Sequence, residues 1–278
     1  MGRSNTPKNY EEGRNRSYTL RHALAILDAL SGRGYADGAS LNQLAQATGL
    51  NKSTVLRLLT PLVEHRVVAK EATSGTYRLG LQVVEWAEAV LDGTEIVRVG
   101  LPHLHQLVET TGETAFLVVY DDGDVVYMAK VESPNVIRMS SQIGTRTPAY
   151  TTSNGKAMLA FLPSEEAERL ISRGLRAFTP NTVTSPDVLR SQLADVRRQH
   201  FAVDDRENVP DARCIGAAVF DRQGRVAGAI SLASPAYRME LDRLVELGPL
   251  VVDAAKAISR EMGFVDAAGR TEYPRPHA

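Results

Sequence analysis

The spacing of apolar residues in the first part of the chain predicts three short helices and a hairpin. Apolar side chains recur at three- and four-residue steps from Leu20 onward, and the same period returns after Ser40 and over 51–64. Two short apolar runs, 67–70 and 76–79, then flank a Thr-Ser-Gly turn. This order of elements is the outline of a winged helix-turn-helix domain. The predicted buried stripe of the first helix is Leu20, Ala23, Leu24, Leu27 and Leu30.

The remaining chain alternates between helical and strand-like periods. Residues 81–98 carry an apolar stripe that predicts a connecting helix, and a second helix follows it to Gly112. Turn signals at 121–124 and 221–224, each between two apolar runs, predict two β-hairpins. Because strands and helices mix without a regular strand-helix-strand repeat, the predicted fold class is multi-domain α+β. A further strand is predicted at 136–140, and further helices at 153–162, 164–174, 186–200 and 240–262.

The length of 278 residues exceeds that of a usual single domain, so two folded domains are expected. Both ends are polar and lack a clear period, which predicts flexible segments there. The predicted segments are a flexible arm (1–16), the winged helix-turn-helix domain (17–80), a linker helix (81–98), a second α+β domain (99–263) and a flexible tail (264–278).

The composition favours a soluble, cytoplasmic protein. Apolar residues make up 43% of the chain and charged residues 23%, as in ordinary globular proteins. No apolar run approaches the roughly 18–20 residues that cross a bilayer, and the N-terminus lacks the apolar core of a secretion signal. The single cysteine, Cys214, excludes an intrachain disulfide and a multi-cysteine zinc site. We therefore expect no membrane partner, no cofactor and no metal.

The net charge of −1 conceals an asymmetry between the two parts of the chain. Residues 1–80 contain 11 Lys and Arg against 6 Asp and Glu, whereas residues 81–278 contain 21 against 27. A basic module joined to an acidic one indicates that only the first meets a polyanion. Chance scatter of surface charge explains the same numbers equally well, so the motifs have to decide.

The third predicted helix has a polar face that suits DNA. Gly49 can adopt the positive φ that ends the preceding helix, and the apolar positions 55, 58 and 59 predict a buried stripe. The opposite face fits the major groove, which is about 12 Å wide and admits one helix. A solvated surface helix is the alternative, but the turn, the hairpin and the positive charge occur together. The residues predicted to contact DNA are Arg21, Lys52, Ser53, Thr54, Arg57, Thr76, Tyr77 and Arg78.

The second domain lacks a complete catalytic motif, so we do not predict an enzyme. Gly155-Lys156 resembles the end of a phosphate-binding loop, but residue 157 is Ala where that loop needs Ser or Thr. Residues 151–155 resemble a nucleophile elbow without its first Gly. His103 and His105 are two residues apart on a predicted helix, so their side chains diverge. The acidic run at 204–207 lacks a second motif of ligand spacing.

A binding pocket is better supported by the sequence. Small and polar residues stand where the helix at 153 begins, and a helix start favours an anion such as a carboxylate. Asp204, Cys214 and Ser231 lie on segments that can converge on the same cavity, although Cys214 alone is more typical of a small buried residue. The residues predicted to bind a small molecule are Ser153, Asn154, Gly155, Asp204, Cys214 and Ser231.

Together these segments resemble the isocitrate lyase regulator (IclR) family of bacterial transcription factors, over residues 18–263. The resemblance implies a winged-helix domain, a linker helix used in dimerisation and a GAF-like effector-binding domain (99–263). It also implies the six pocket positions named above. His200 stands where the family usually has Gly, and Ala233 where some members have a ligand-contacting Ser. The matching motifs lie at 41–45, 49–59, 77–80, 155–157, 204–208 and 213–221.

We therefore predict a ligand-responsive, DNA-binding transcriptional regulator of a catabolic operon; a repressor is one form it can take, and the sequence leaves repression and activation open. As a homodimer or homotetramer it would bind a palindromic operator of double-stranded DNA, because two-fold symmetry places two recognition helices on two half-sites. Its effector would be a small organic molecule such as an organic or aromatic acid. Two alternatives are an enzyme with a regulatory N-terminal domain and a constitutive DNA-binding protein whose C-terminal domain only mediates oligomerisation.

Overall fold

The chain divides into two units between Val90 and Leu91. The arm predicted at 1–16, the strand predicted at 136–140 and most of the tail predicted at 264–278 lie outside the described residues. No helix in the described part of the chain is both long and apolar enough to cross a membrane. The computed structural model describes residues 17–35, 37–135 and 141–265.

The N-terminal unit has the predicted winged helix-turn-helix order. Its helices and strands are α1 (Tyr18–Ser31), α2 (Leu41–Thr48), α3 (Lys52–Glu64), β1 (Val68–Lys70), β2 (Tyr77–Leu79) and α4 (Gln82–Asp92). Strands β1 and β2 pair antiparallel, and Ala39 forms an isolated bridge to Tyr77. One apolar cluster fills the centre of the unit, with Ile26, Leu44, Val55 and Leu59 at its core.

The predicted stripe of α1 is partly wrong. Leu20 and Leu24 are 59% and 50% exposed, whereas Ile26 and Leu30 are buried. Spacing alone could not separate the two sets, because α1 is apolar around more than half of its circumference. The exposed leucines leave an apolar surface on this unit.

The predicted linker helix at 81–98 is two helices. Helix α4 ends at Asp92, and α5 (Glu95–Thr111) begins after Gly93 and the N-cap Thr94. Gly favours a helix end and Thr a helix start, which explains the break. The first residues of α5 belong to the second unit, because Ile96 is buried in that unit's core.

The C-terminal unit is built on one antiparallel sheet of six strands, in the order β5-β4-β3-β8-β7-β6. Strands β5 and β6 were absent from the sequence prediction. The strands are β3 (Thr114–Asp121), β4 (Asp124–Val131), β5 (Arg146–Pro148), β6 (Ala202–Asp205), β7 (Ala212–Phe220) and β8 (Val226–Pro235). The remaining helices are α6 (Ser153–Leu159), α7 (Ser164–Arg173), α8 (Pro186–Gln199), α9 (Leu241–Glu246) and α10 (Gly248–Glu261).

Both faces of this sheet are covered. Along β3, Leu117 belongs to one apolar cluster and its neighbours Phe116 and Val118 to the other, as the alternation of a strand requires. The first cluster includes side chains of α5 and α10, and the second includes side chains of α6 and α8. The sheet therefore separates two layers of helices, and its α6 side holds the pocket described below.

Three local predictions need correction or completion. The helix predicted at 240–262 is interrupted at Leu247, because Pro249 starts a new helix at its first turn. His200 ends α8 in the left-handed conformation (φ 67°), so it adopts the geometry that Gly would supply. The tail does not begin at Phe264, which is buried and packs against Phe220.

Candidate functional site

Helix α3 presents the predicted polar face to solvent. Lys52, Ser53 and Arg57 are exposed and Thr54 is half-buried, whereas Val55, Leu58 and Leu59 face the core. Neither Lys52 nor Arg57 is paired with a carboxylate among the described residues. Unpaired cations on an exposed helix are available to DNA phosphates and base edges.

The turn before α3 is fixed by its own side chains. Gly49 has φ 69° and ends α2, while the Asn51 side-chain oxygen accepts the N–H of Thr54 at 2.8 Å. The Ser53 hydroxyl donates to the same oxygen at 2.8 Å. At the start of α2, Ser40 and Gln43 form a reciprocal capping box. The Asn51 cap therefore fixes the start of α3 directly after the turn, and the capping box fixes the start of α2.

The hairpin supports only part of the DNA prediction. Arg78 is exposed and Thr76 is half-buried, and Arg21 on α1 is exposed. The prediction for the Tyr77 side chain is wrong, because only 4% of the residue is exposed and it packs in the core of the unit. Tyr77 therefore supports the hairpin, with Lys70 Nζ 5.6 Å from its ring centre.

A cavity of about 30 Å³ lies between the start of α6 and the sheet. Five of the six predicted pocket residues line it, namely Ser153, Asn154, Asp204, Cys214 and Ser231. Two further lining residues have sequence signals: Thr152 precedes the predicted helix start, and Ala233 stands where the resemblance implies a ligand-contacting Ser in some members. The lining residues that sequence reasoning did not place in the pocket are Phe116, Tyr127, Ser141, Asn208, Val209 and Ala212.

Strand register explains why distant residues meet at the cavity. Asp204 pairs with Cys214 across β6 and β7, and Cys214 pairs with Ala233 across β7 and β8. In the next row on the same face, Ser231 lies between Gly216 and Phe116. The floor of the cavity is therefore two adjacent rows of cross-strand neighbours.

Two glycines allow α6 to approach closely. A Cβ on Gly216 would lie 3.1 Å from the backbone nitrogen of Asn154, and one on Gly155 would lie 2.0 Å from the carbonyl oxygen of Ala149. The N–H of Gly155 donates to the Thr152 hydroxyl at 3.0 Å. Gly155 does not appear among the described residues that line the cavity, and its close approach to Ala149 gives it a packing role; contact with an effector stays a prediction.

Sequence reasoning also missed a buried ion pair behind the cavity. Lys156 Nζ lies 2.6 Å from Glu207 Oε1, and the two side chains are 1% and 7% exposed. Lys156 also donates to Gln192 Oε1 at 3.1 Å. The partners are 51 residues apart, so nothing in the local pattern indicates the pair.

Burial controls the protonation of the cavity groups. Asp204 is 3% exposed, and desolvation raises its pKa to about 7, although its Oδ1 accepts the N–H of Glu207 at 2.7 Å. Desolvation also raises the pKa of the Cys214 thiol and of the Tyr127 hydroxyl, which keeps both neutral. Two polar atoms of the wall, Ser153 Oγ and Asn154 Oδ1, are buried without a hydrogen-bond partner among the described residues.

The sequence matches two known domain families. Residues 19–72 match the IclR helix-turn-helix domain, and residues 88–260 match the C-terminal domain of the bacterial transcriptional regulator IclR. The chain belongs to the IclR family. It is therefore a DNA-binding transcriptional regulator, as its exposed helix α3 indicates.

IclR-family relatives align over most of the chain. The repressor AllR of Salmonella paratyphi A is 32% identical over 88% of this chain and 90% of its own, and the repressor IclR of Escherichia coli K12 is 33% identical over 81% and 83%. The crystal structure of Thermotoga maritima IclR superposes with a TM-score of 0.73 at 29% identity, covering 90% and 100%. An IclR homologue from Microbacterium hydrocarbonoxydans, solved with 4-hydroxybenzoate, has the same fold (TM-score 0.75, 23% identity, 88% and 98% covered).

Gly155→Ala should destabilise the C-terminal unit of this IclR-family regulator by about 1–3 kcal/mol, because the added methyl group meets a backbone carbonyl that cannot move alone. Chemical unfolding monitored by circular dichroism measures the loss. Gly34→Ala is the matched control, since a Cβ there has no described atom within 4 Å. Equal stability of the two variants would contradict the packing role.

The Asp204 carboxyl should make stability depend on pH near neutrality. Its folded-state pKa of about 7 lies above its ordinary value of 3.8, so the folded state binds more protons between those values and loses stability as pH rises through 7. From about pH 6 to pH 8 the wild type should lose about 1.4 kcal/mol more than Asp204→Asn. Unfolding titrations at both pH values measure this difference. Asp242→Asn, at an exposed position, should follow the wild type; identical slopes in all three proteins would refute the assignment.

Proposed function

We propose that the protein is a dimeric repressor of a catabolic operon, and that a small organic effector changes the affinity of this repressor for DNA. The observation that supports this proposal most strongly is a cavity in the C-terminal unit, separate from the unit that contains α3. The cavity is surrounded by Ser153, Asn154, Asp204, Cys214 and Ser231. Aligned relatives AllR and IclR are named as transcriptional repressors, which supports repression. A cytoplasmic location follows from a DNA target.

Dimerisation through α4 is supported by its unusual surface. Large apolar side chains at its start and along its length are exposed to solvent, 79% at Leu81, 52% at Val84, 53% at Trp86 and 60% at Val90. Apolar surface of this kind marks a protein interface. A second copy of the chain is the proposed occupant, since a palindromic operator needs two copies of α3.

Trp86→Glu is expected to convert the dimer to a monomer, because it places a charge in the proposed apolar interface. Sedimentation velocity measures the oligomeric state. Glu88→Gln on the same helix should remain a dimer. A Trp86→Glu variant that sediments as the wild type does would exclude this interface.

A small organic acid or hydroxy acid is the proposed effector class. The cavity combines the hydrogen-bonding side chains of Asp204 and Ser231 with the aromatic pair Phe116 and Tyr127, whose ring centres are 5.1 Å apart. At about 30 Å³ it has room for about one water-sized group, so a ligand as large as an aromatic acid has to displace part of the wall. A protein of the same fold binds 4-hydroxybenzoate.

The experiment is a fluorescence anisotropy titration of duplex DNA taken from upstream of the protein's own gene. We expect tight binding that weakens steeply with salt and is changed by one member of a panel of keto acids, sugar acids and aromatic acids. Binding that no cavity ligand changes would support a constitutive DNA-binding protein. Turnover of a panel member that depends on Asp204 would support an enzyme.

A further inference from the structure

The buried ion pair joins two segments of the cavity wall. Lys156 is on α6, two residues after Asn154, and Glu207 lies between Asp204 and Val209 of the wall. Neither member of the pair is among the described residues that line the cavity. The pair therefore stands directly behind the wall and can act on an effector only through the residues in front of it.

The backbone N–H of Glu207 binds the Asp204 carboxyl, and hydrogen bonds to the N–H, the carbonyl and the carboxylate of Glu207 fix the position of Glu207 itself. Its N–H donates to Asp204 Oδ1 at 2.7 Å, and its carbonyl accepts the Thr182 hydroxyl at 2.5 Å. Its carboxylate is held by Lys156, which is in turn fixed by Gln192 of α8. A change at the pair is thus transmitted to the Asp204 carboxyl.

The pair also carries the charges that act on Asp204. In the described part of the chain, Cys214 of β7 and Tyr127 of β4 also face this cluster, and burial keeps both neutral. Asp205 of β6 lies near it as well; burial raises the pKa of Glu207, and the charge of Asp205 raises it further. Burial raises the pKa of Asp204, and the backbone N–H of Glu207 lowers it by hydrogen bonding. The charge of Lys156 also lowers this pKa, whereas the charge of the Glu207 carboxylate raises it. The two charges therefore oppose each other in a buried environment, where charges interact strongly.

We propose that Lys156 and Glu207 are positioning residues for effector recognition: the pair fixes the Asp204 carboxyl and decides whether it meets the effector as an acceptor or as a donor. A carboxylate accepts a hydrogen bond from a hydroxyl or N–H group, whereas a carboxylic acid donates one to an anion. The proposal rests on the proposed function in one respect, namely that the effector binds in this cavity. An ion pair that only stabilises the fold would change the free energy of unfolding without changing which protonation state of Asp204 binds the effector.

The test is a carbon-13 NMR titration of the Asp204 carboxyl in the full-length, ligand-free protein, with Asp204→Asn to assign the signal. Lys156→Met removes the positive charge and should raise the titration midpoint by about one pH unit, and Glu207→Gln should lower it by a similar amount. The proposal is overturned if the Asp204 midpoint stays in place in both variants, or if it moves in the same direction in both.

A third variant keeps the test decisive where a single variant fails to fold. Gln192→Glu retains both members of the pair and places a negative charge beside Lys156 Nζ, so it should raise the midpoint by a smaller amount. An unchanged midpoint in this variant also overturns the proposal. The titration uses neither DNA nor effector, so unshifted midpoints would overturn this proposal and leave the proposed function standing. If the midpoints shift as expected but no compound changes the DNA affinity of the wild type, the proposed function is refuted instead.

Discussion

Replacing Glu207 by glutamine is expected to destabilise the C-terminal unit by about 3–5 kcal/mol. The change leaves the Lys156 ammonium buried, with 1% of its side chain exposed and no carboxylate at 2.6 Å. Burying an unpaired charge costs several kcal/mol because water no longer solvates it. Urea unfolding followed by far-ultraviolet circular dichroism measures the loss, which is the largest loss of stability that we predict for a single substitution.

Glu246→Gln is the matched control for this prediction. Glu246 pairs with Arg243 at 2.8 Å, but both side chains are 64% exposed, so the same substitution should cost less than about 1 kcal/mol. The double variant Lys156→Met/Glu207→Met should cost much less than the sum of the two single changes, because no charge is then left unpaired. Additive losses would show that the pair does not act as a unit.

Arg57→Ala is expected to weaken operator binding strongly without changing the fold. The side chain is exposed on the polar face of α3, and a good contact to a base edge is worth about 1–3 kcal/mol. In a dimer the contact occurs twice, so the total loss should be about 2–6 kcal/mol. Anisotropy titrations at several salt concentrations measure the affinity, and a contact to phosphate instead would also reduce the salt dependence.

Arg225→Ala controls for the loss of a surface arginine. This side chain is 74% exposed in the C-terminal unit and pairs with Asp221. It should leave operator affinity unchanged, and both variants should unfold at the wild-type urea concentration. Wild-type affinity in Arg57→Ala would show that another surface reads the DNA.

The sequence was most informative where a period extends over several turns or strand residues. The first three helices of the N-terminal unit and the hairpins at 121–124 and 221–224 were predicted with nearly correct ends. Strands β5 and β6 have only three and four residues, which is too short for an alternation to be recognised. Gly93 favours a helix end and Thr94 a helix start, so the sequence does carry a signal for the break between α4 and α5. The apolar stripe continues across these two residues, and it therefore predicted one continuous helix.

The pocket shows which functional residues a sequence can supply. Asp204, Cys214 and Ser231 were predicted because their segments can converge on one cavity, and because the family resemblance implies these positions. Gly155 packs closely against Ala149, which the sequence did not show, because a Gly needed for close packing and a Gly that admits a ligand look identical in a sequence. The side chain of Tyr77 was misassigned because a three-residue strand does not reveal which of its faces is buried.

Filling the cavity tests most directly whether it controls DNA binding, because the variant can be compared with the wild type for the change in DNA affinity that an effector causes. Ala233 lines the cavity and is 2% exposed, so Ala233→Val adds two methyl groups to a space of about 30 Å³. We predict that this variant binds the upstream duplex as tightly as the wild type in an anisotropy titration, but no longer responds to the compound that changes wild-type binding. A variant that folds, binds DNA and responds to that compound at the same concentration as the wild type would contradict the claim that this cavity controls the affinity for DNA.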